Sequence, residues 1–419
     1  MRAGVSRRMT YTAGRGAAVL TRPACLFLAN NYLAATVAQQ LSVALIGSSL
    51  AMIAIAADSH RVFYLGHYAE QRRSNGLVFW VYAASLLLLT AVGVCIVSGI
   101  AARSTGSVVL VAAAVTYFSS EKLADEMLRA RLFEADFNGW GRSILVRSAL
   151  QIVAILATIA GMKLRASGSA IVLALAAANF LVFVPQLPKS ALRLVSWRGA
   201  RVLRWLVPRA VRLIAVNWFL WVIAVLGAGI GYLDRIVALS VEPAILPVFV
   251  LVVMCFSIVQ MAVDFYYVSI HRREFLQQRV PIRAALTSAA FLRSLALGLV
   301  VAFAAAIAVL TFSRGGRAFP TAYIFMIAVL QASFAAATIP QQILYWHHEF
   351  GRILRIEVSF WLGLAVVAAV GLLGAMPAVA IYATVAVGAV ARLSGYVVFA
   401  QRRTSTLSRI EVDALVETP

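Results

Sequence analysis

The stretch Ala285–Phe312 reads ALTSAAFLRSLALGLVVAFAAAIAVLTF and contains a single charged residue, Arg293. A run of roughly 18 or more apolar residues with so few charges is long enough to cross the hydrocarbon core of a bilayer as a helix. The whole chain has the same character, since 62% of its residues are hydrophobic, 13% are charged and its mean hydropathy is +0.89. This composition excludes an ordinary soluble globular protein and indicates a polytopic membrane protein.

Similar apolar stretches occur along nearly the whole chain and predict an all-α membrane protein with about twelve transmembrane helices. The predicted spans are residues 13–34, 40–60, 76–100, 107–128, 145–162, 168–186, 212–233, 242–265, 285–312, 320–340, 357–375 and 377–400. The first span is interrupted by Arg15, Arg22 and Pro23. Because arginine is foreign to the apolar core of a signal peptide, we expect a retained helix here.

Arginines and lysines are distributed unequally between the two sides of the predicted spans. About 27 of them lie on the side of the amino terminus and about 6 on the other. Because basic loops mark the cytoplasmic face, we expect both termini in the cytoplasm and an even number of spans. The net charge of +21 then reflects topology and contacts with anionic lipid headgroups, so we expect no nucleic-acid partner.

Short matches at a nearly constant offset indicate an internal duplication. Ala56–Asp58, at the end of the second span, corresponds to Ala262–Asp264 in the eighth, at an offset of about 206. Trp140–Arg142 corresponds to Phe350–Arg352 at an offset of about 210, and chance matching is the alternative. The duplication predicts an N-terminal six-helix bundle at 1–188, a basic cytoplasmic linker at 189–211, a C-terminal six-helix bundle at 212–401 and a cytoplasmic tail at 402–419.

Ionisable residues inside the predicted spans are candidates for function, because they are costly in hydrocarbon and usually face the protein interior. On the fourth span, Lys122 with Glu126, and Asp125 with Arg129, have the i,i+4 spacing of pairs that neutralise one another. Arg22 lies in the middle of the first span, where it needs another polar group or an anionic ligand. It is therefore the strongest single candidate for a functional contact.

Other polar residues of the spans have simpler interpretations as well. Arg293 and Arg392 lie far enough from the centres of their spans that we expect their side chains to reach the membrane interface. Asn217, Trp218 and Trp221 begin the seventh span. The two tryptophans suit an interfacial belt. Together with the amide they equally suit a sugar-phosphate headgroup, and the sequence leaves both interpretations open.

Three features of the layout occur together: twelve spans in two halves, Asp234-Arg235 after the seventh span, and Asp58 closing the second. In these features nearly the whole chain resembles the polysaccharide (O-antigen/exopolysaccharide repeat-unit) flippases of the multidrug/oligosaccharidyl-lipid/polysaccharide exporter superfamily. The resemblance implies a transporter of the cell inner membrane that moves an undecaprenyl-diphosphate-linked oligosaccharide to the outer leaflet for surface polysaccharide biosynthesis. Its implied partners are that lipid-linked oligosaccharide, membrane lipids, and the glycan polymerase and export machinery.

The resemblance also implies roles for individual residues. A polar, cationic lumen would hold the diphosphate and sugars, and its candidate substrate-binding residues are Arg22, Asn217, Trp218, Trp221 and Arg235. A switch coupled to protons or sodium would use carboxylates, because burial favours their protonated form. The candidate ion-coupling residues are Asp58, Asp234 and Asp264.

Proteins of other classes share parts of this layout. A membrane glycosyltransferase, polymerase or ligase acts on lipid-linked glycans, but usually has a long outer loop with catalytic groups, whereas the predicted outer loops here are short. A major-facilitator transporter or a drug/cation antiporter also has about twelve spans. The chain contains no P-loop, dinucleotide-binding or His-Glu-x-x-His motif. We therefore expect neither an enzyme nor a protein with a cofactor or metal.

Overall fold

The computed structural model describes residues 2–56, 76–133, 136–162, 167–186, 197–216, 218–263, 282–346, 349–374 and 377–416. Regular structure in these ranges is entirely helical, which confirms the predicted all-α class. The α-helices are α1 (Arg2–Tyr32), α2 (Ala35–Ala56), α3 (Gly76–Thr105), α4 (Val108–Phe133), α5 (Phe137–Met162), α6 (Gly168–Phe183), α7 (Trp197–Val216), α8 (Trp218–Val241), α9 (Leu246–Ala262), α10 (Ile282–Thr287), α11 (Ala289–Phe312), α12 (Thr321–Trp346), α13 (Phe350–Gly374) and α14 (Ala378–Val416).

Many of these helices are long and apolar enough to cross a membrane. Within the described ranges, eight segments qualify: Ala35–Ile55, Ala84–Ser104, Phe137–Gly161, Gly168–Gln186, Pro243–Ala262, Ala289–Phe312, Thr321–Leu344 and Val379–Gln401. Arg204–Val216 and Trp218–Gly227, which meet at 67°, qualify only as a pair and would make a ninth. These helices mark a membrane-embedded protein. Each of the twelve predicted spans overlaps at least one long helix, and the seventh overlaps both α7 and α8. The count of twelve transmembrane helices stays a prediction.

Local chemistry fixes several helix ends. The chain turns between α3 and α4 at Gly106, whose φ of +63° is in the left-handed region that favours glycine. Helix α6 begins after Ser167 and helix α11 after Ser288. In both cases the serine hydroxyl accepts a hydrogen bond of 3.2 Å from the backbone N–H three residues later. These are ordinary N-caps, which satisfy donors that a helix start leaves unpaired.

The chain divides into two compact units, Met1–Tyr232 and Leu233–Pro419, and the boundary falls inside α8. In the first unit α2 packs against α3 and α4, and α6 packs against α4 and α5. In the second unit α9 packs against α11 and α12, and α14 packs against α12 and α13. Four of these pairings correspond when the predicted spans are counted from 1 to 6 within each half. In both units the second span packs against the third and the fourth, and the sixth packs against the fourth and the fifth.

Helices α1 and α5 of the first unit also cross closely, at two glycines. A Cβ atom added to Gly141 would lie 2.5 Å from the carbonyl oxygen of Thr10, and one added to Gly14 would lie 2.9 Å from the Cα of Gly141. Small residues at such a crossing allow two backbones to approach. Gly351, which the sequence matches with Gly141, has no atom within 4 Å of an added Cβ. The matched glycines therefore have different surroundings in the two units.

Helix α7 begins in the predicted basic linker, ends at Val216 inside the predicted seventh span, and is amphipathic. Its side chains Leu206 and Ala210 are buried and pack against α3. On the exposed side, the guanidinium carbon of Arg209 lies 3.4 Å from the centre of the Trp205 ring, a cation–π contact. Among the side chains of this helix that the structure describes, Arg204 and Arg212 are also exposed basic residues.

Candidate functional site

A buried cluster of polar side chains joins four helices of the first unit. At its centre is Glu121 on α4, whose side chain is only 3% exposed. The Glu121 carboxylate accepts a hydrogen bond of 2.6 Å from Arg22 on α1 and another from Arg147 on α5. Asn179 on α6 completes the group, because its amide donates to Glu121 at 3.2 Å. We call Arg22, Glu121, Arg147 and Asn179 the arginine–glutamate cluster.

Further hydrogen bonds hold the members of this cluster in place. The Asn179 carbonyl oxygen accepts from Arg147 Nε at 2.7 Å and from the Gln151 amide at 3.0 Å. On the other side, Arg22 donates to the Ser49 hydroxyl of α2 at 3.1 Å. The phenol of Tyr117, one turn before Glu121 on α4, lies beside the same carboxylate. Five helices, α1, α2, α4, α5 and α6, thus contribute to one connected network.

The cluster is not balanced in charge, since it contains two guanidinium groups and one carboxylate. The next charged residues on α4 do not change this, because Lys122 pairs with Glu126 at 2.5 Å and Arg129 with Asp125 at 2.8 Å. Both of these i,i+4 pairs confirm the sequence prediction. A surplus cation inside a helical unit is favourable only beside water or an anion. The cluster therefore has the charge of an anion-binding site.

Accessibility distinguishes the members of the cluster. The Arg22 side chain is 30% exposed, whereas Glu121 is enclosed. A guanidinium carries five N–H donors. Among the described residues, the contacts with Ser49 and Glu121 use one donor on each terminal nitrogen of Arg22, which leaves further donors for another acceptor. Because guanidinium groups match the geometry of phosphate oxygens, Arg22 is chemically suited to a phosphate ligand.

The second unit contains a buried ion pair of a different kind. Glu357 on α13 accepts hydrogen bonds from Arg392 on α14, at 3.1 Å from Nε to both carboxylate oxygens and 2.5 Å from Nη2 to Oε1. The Tyr396 hydroxyl donates to the same carboxylate, and the Arg392 guanidinium lies 5.0 Å from the centre of the Tyr396 ring. The side chain of Glu357 is 0% exposed and that of Arg392 is 7% exposed. This neutral, enclosed pair is a structural connection between α13 and α14.

Asp234 and Arg235, both predicted as site residues, are buried near the end of α8. One Asp234 carboxylate oxygen accepts from the backbone N–H of Arg235 at 2.8 Å, and it lies 3.7 Å from the Arg235 guanidinium. The other oxygen, Oδ2, has no hydrogen-bond partner among the described residues. These two residues therefore face the interior of the second unit, where Oδ2 lacks a described protein donor.

The remaining predicted site residues are less informative. Trp218 is exposed, as an interfacial or lipid-facing residue would be, while Trp221 is partly buried and its indole N–H has no partner among the described residues. Asn217, Asp58 and Asp264 lie outside the described residues, so their predicted roles stay predictions. Of the predicted substrate-binding residues that the structure describes, Arg22 is the one that takes part in the arginine–glutamate cluster.

The sequence singles out neither Arg147 nor Asn179 as a site residue, and it shows Glu121 only as one member of the charged run that contains Lys122 and Asp125. One arginine outside the cluster lies elsewhere than the sequence predicts. The expectation that Arg392 reaches the membrane interface is wrong, because Glu357 holds it inside the second unit. A useful signal in the sequence was the presence of Glu357 and Arg392 on successive apolar spans, where each needs an opposite charge.

No three His, Cys, Asp or Glu residues of the described ranges come together in a way that could hold a metal ion. Comparisons of the chain with protein-family models, with curated proteins and with solved structures give no match. The function must therefore be argued from the arginine–glutamate cluster and from the layout of the helices.

Proposed function

We propose that this protein is a transmembrane transporter, and specifically a flippase that moves a polyprenyl-diphosphate-linked oligosaccharide across the cytoplasmic membrane by alternating access. The single observation that carries the proposal is the arginine–glutamate cluster, with its surplus positive charge inside a unit of apolar helices. A charge in this position is costly unless it has a use. Binding a diphosphate that must pass the hydrocarbon core would be such a use.

The cargo imposes physical requirements that the cluster meets. A diphosphate carries several acceptor oxygens, which planar guanidinium groups bind with paired hydrogen bonds. Arg22 is the accessible member, while Arg147 is held by Glu121 and Asn179. A cation exporter would need an acidic lumen instead. The balance of the cluster therefore favours an anionic cargo over a cationic drug, and Arg22 is its first contact.

The packing of the helices also supports the proposal. Four pairings of predicted spans are common to the two units, as an internal duplication would require. Transporters built from repeats move their halves relative to one another and bind substrate near the bilayer midplane. With the duplication, we also propose the twelve-span topology, both termini in the cytoplasm, and location in the cell inner membrane.

The test is translocation by the purified full chain in liposomes. The probe is undecaprenyl diphosphate bearing a fluorescently labelled oligosaccharide from the host's own membranes, and its appearance on the opposite leaflet is measured by accessibility to a glycan-cleaving enzyme. Arg22→Ala and Arg147→Ala should abolish translocation, and Arg22→Lys should retain part of it because the charge remains. The matched control is Arg293→Ala, since Arg293 is an exposed arginine within an apolar helix of the second unit.

Translocation at the wild-type rate by both Arg22→Ala and Arg147→Ala would overturn the assignment of the cluster as the binding site.

In cells, deletion of the gene distinguishes a flippase from an enzyme of glycan assembly. Complete lipid-linked units held on the cytoplasmic leaflet would support a flippase. Units that reach the outer leaflet without being polymerised would instead indicate an enzyme of glycan assembly.

A further inference from the structure

The second unit contains a small cavity beside Asp234. Its volume is about 10 Å³, close to the space that one water molecule needs. In the part of the chain that the structure describes, three polar side chains line it, from three helices: Asp234 on α8, Tyr323 on α12 and Tyr382 on α14. The rest of the lining is apolar and includes Phe249 and Leu330. The cavity is thus an isolated polar point in a hydrophobic interior.

Two oxygen atoms in the lining lack partners among the described residues. They are Oδ2 of Asp234, a residue 2% exposed, and the hydroxyl oxygen of Tyr382, a residue 4% exposed. Buried polar atoms are almost always hydrogen-bonded, to protein or to ordered water, because leaving them unpaired costs free energy. One water in a cavity of this size can reach two to four polar groups. A single water would therefore satisfy both atoms.

Tyr323 extends this polar point towards the end of α8. Its hydroxyl donates a hydrogen bond of 2.8 Å to Glu242, a partly exposed residue just beyond that helix. The rings of Tyr323 and Tyr382 lie 4.6 Å apart between centres, and Phe249 stacks on Tyr382 at 5.3 Å. These ring contacts hold both phenols at the cavity. The polar groups consequently form a row, which runs from Glu242 through Tyr323 and the cavity to Asp234.

We propose that the cavity binds one water molecule, and that Glu242, Tyr323, this water and Asp234 form a proton path, with Tyr382 orienting the water. In one transfer, an O–H bond of protonated Glu242 breaks as its proton passes to the Tyr323 oxygen. For this step the hydrogen bond seen in the structure reverses, so that protonated Glu242 donates to the Tyr323 oxygen and the Tyr323 hydroxyl turns to donate to the water. The original Tyr323 proton then moves to the water, and a water proton moves to Asp234 Oδ2. One O–H bond is lost at Glu242 and one is formed at Asp234, and no group is oxidised or reduced.

The groups around Asp234 suit a proton better than a metal ion. The described ionisable groups near the cavity are Arg235 on α8, Tyr323 on α12, Tyr382 on α14 and Glu242 beyond α8, while α9 contributes the apolar Phe249. A divalent cation takes about six or more oxygen ligands. Among the described residues, the side chains lining the cavity supply oxygens from three residues. The proposal rests on the proposed function for its purpose, because the proton would drive transport.

The first experiment detects the proton at Asp234 without any cargo, so its failure is distinct from failure of the flippase assignment. The full chain in liposomes receives a proton jump from a photolysed caged acid, and time-resolved infrared absorption follows the carboxylic acid C=O stretch. A band that appears in the wild type and is absent in Asp234→Asn would belong to Asp234. Failure of Asp234→Asn to remove any band would overturn the proposal.

The path itself is tested by the rate at which this band appears. Tyr323→Phe and Glu242→Gln should each slow it about tenfold or more, because each removes a hydrogen-bonding group from the path. The matched control is Tyr396→Phe, which removes a buried tyrosine hydroxyl from another carboxylate of the same unit. An unchanged rate in both path variants would exclude this route, and equal slowing by the control would show a structural effect only.

A high-resolution experimental structure gives an independent test of the water. The expected result is density within hydrogen-bond distance of Asp234 Oδ2 and of the Tyr382 hydroxyl, lost in the Tyr382→Phe variant. A cavity without density in a map that shows other buried waters would contradict the proposal.

Discussion

The arginine–glutamate cluster of the first unit and the Glu357–Arg392 pair of the second are both ion pairs buried among apolar helices, yet they differ in charge and enclosure. The first has two guanidinium groups around one carboxylate and leaves Arg22 accessible, whereas the second is neutral and closed by Tyr396. A closed pair with matched charges stabilises a fold. An open cluster with a surplus charge retains capacity to bind a ligand.

The largest expected effect is the loss of one partner of the closed pair. Arg392→Ala leaves Glu357 without its guanidinium partner, and Glu357→Ala leaves Arg392 without its carboxylate. Breaking a buried pair in this way typically costs about 3–5 kcal/mol. Thermal unfolding of the purified protein in detergent, followed by tryptophan fluorescence, should show both variants strongly destabilised.

A double variant makes this prediction sharper. Glu357→Leu with Arg392→Met replaces both charges by apolar side chains of similar length, which is often nearly neutral for stability. We expect the double variant to unfold at a higher temperature than either single alanine variant. If the double variant is less stable than both single alanine variants, the ion pair itself stabilises the second unit, and the effect of the single variants is not explained by an unpaired charge alone.

The next largest effect concerns the glycines that the duplication matches. In Gly141→Ala, the new Cβ would lie 2.5 Å from the Thr10 carbonyl oxygen, so α1 and α5 must separate. Overpacking of this kind costs about 1–3 kcal/mol. Gly351→Ala meets no atom within 4 Å and adds helix propensity, so its stability should be unchanged or higher by up to about 1 kcal/mol. Equal destabilisation of the two variants in thermal unfolding would refute the difference.

A smaller effect on stability is expected in the open cluster. Arg22→Ala leaves Glu121 with Arg147 and Asn179, so we expect a loss of only about 1 kcal/mol, well below that of Arg392→Ala. The same variant should abolish translocation of the labelled lipid-linked oligosaccharide. Stability and transport are measured on one preparation. A variant that loses as much stability as Arg392→Ala while transporting normally would reverse the roles of the two regions.

The smallest effect is expected along the surface of α4. Asp125→Asn removes a partly exposed i,i+4 pair with Arg129, and pairs of this kind contribute about 0.3–0.5 kcal/mol. Translocation should be unchanged. Loss of transport in this variant, with stability intact, would extend the functional cluster along α4 beyond Glu121.

The contrast between these regions also shows what the sequence could reveal. The helices were predictable because a long run of apolar residues is sufficient to indicate a membrane-spanning helix. The Lys122–Glu126 pair was predictable because its partners are 4 residues apart. Arg22 and Glu121 are separated by 99 residues, and Glu357 and Arg392 by 35. Which charges meet at such separations depends on how helices pack. The need of Arg22 for a partner was therefore visible, but the identity of that partner was not.

The cavity beside Asp234 illustrates the same limit. The sequence identified Asp234 and Arg235 as neighbours, but it gave no reason to connect them with Tyr323 and Tyr382, which arrive on two later helices. Glu242 was predictable only as a carboxylate near a helix end. Its hydrogen bond with Tyr323 forms because Glu242 and α12 belong to the same compact unit.

Because of helix α7, we expect the stability of this protein to depend on the lipid around it. It buries Leu206 on α3 and exposes the stacked Arg209 and Trp205, so its outer side suits the boundary between anionic headgroups and acyl chains. A neutral detergent replaces the acyl chains but not the negative charge. Preparations that retain acidic phospholipid should therefore keep α7 seated, and a melting temperature quoted for this protein has meaning only together with its lipid.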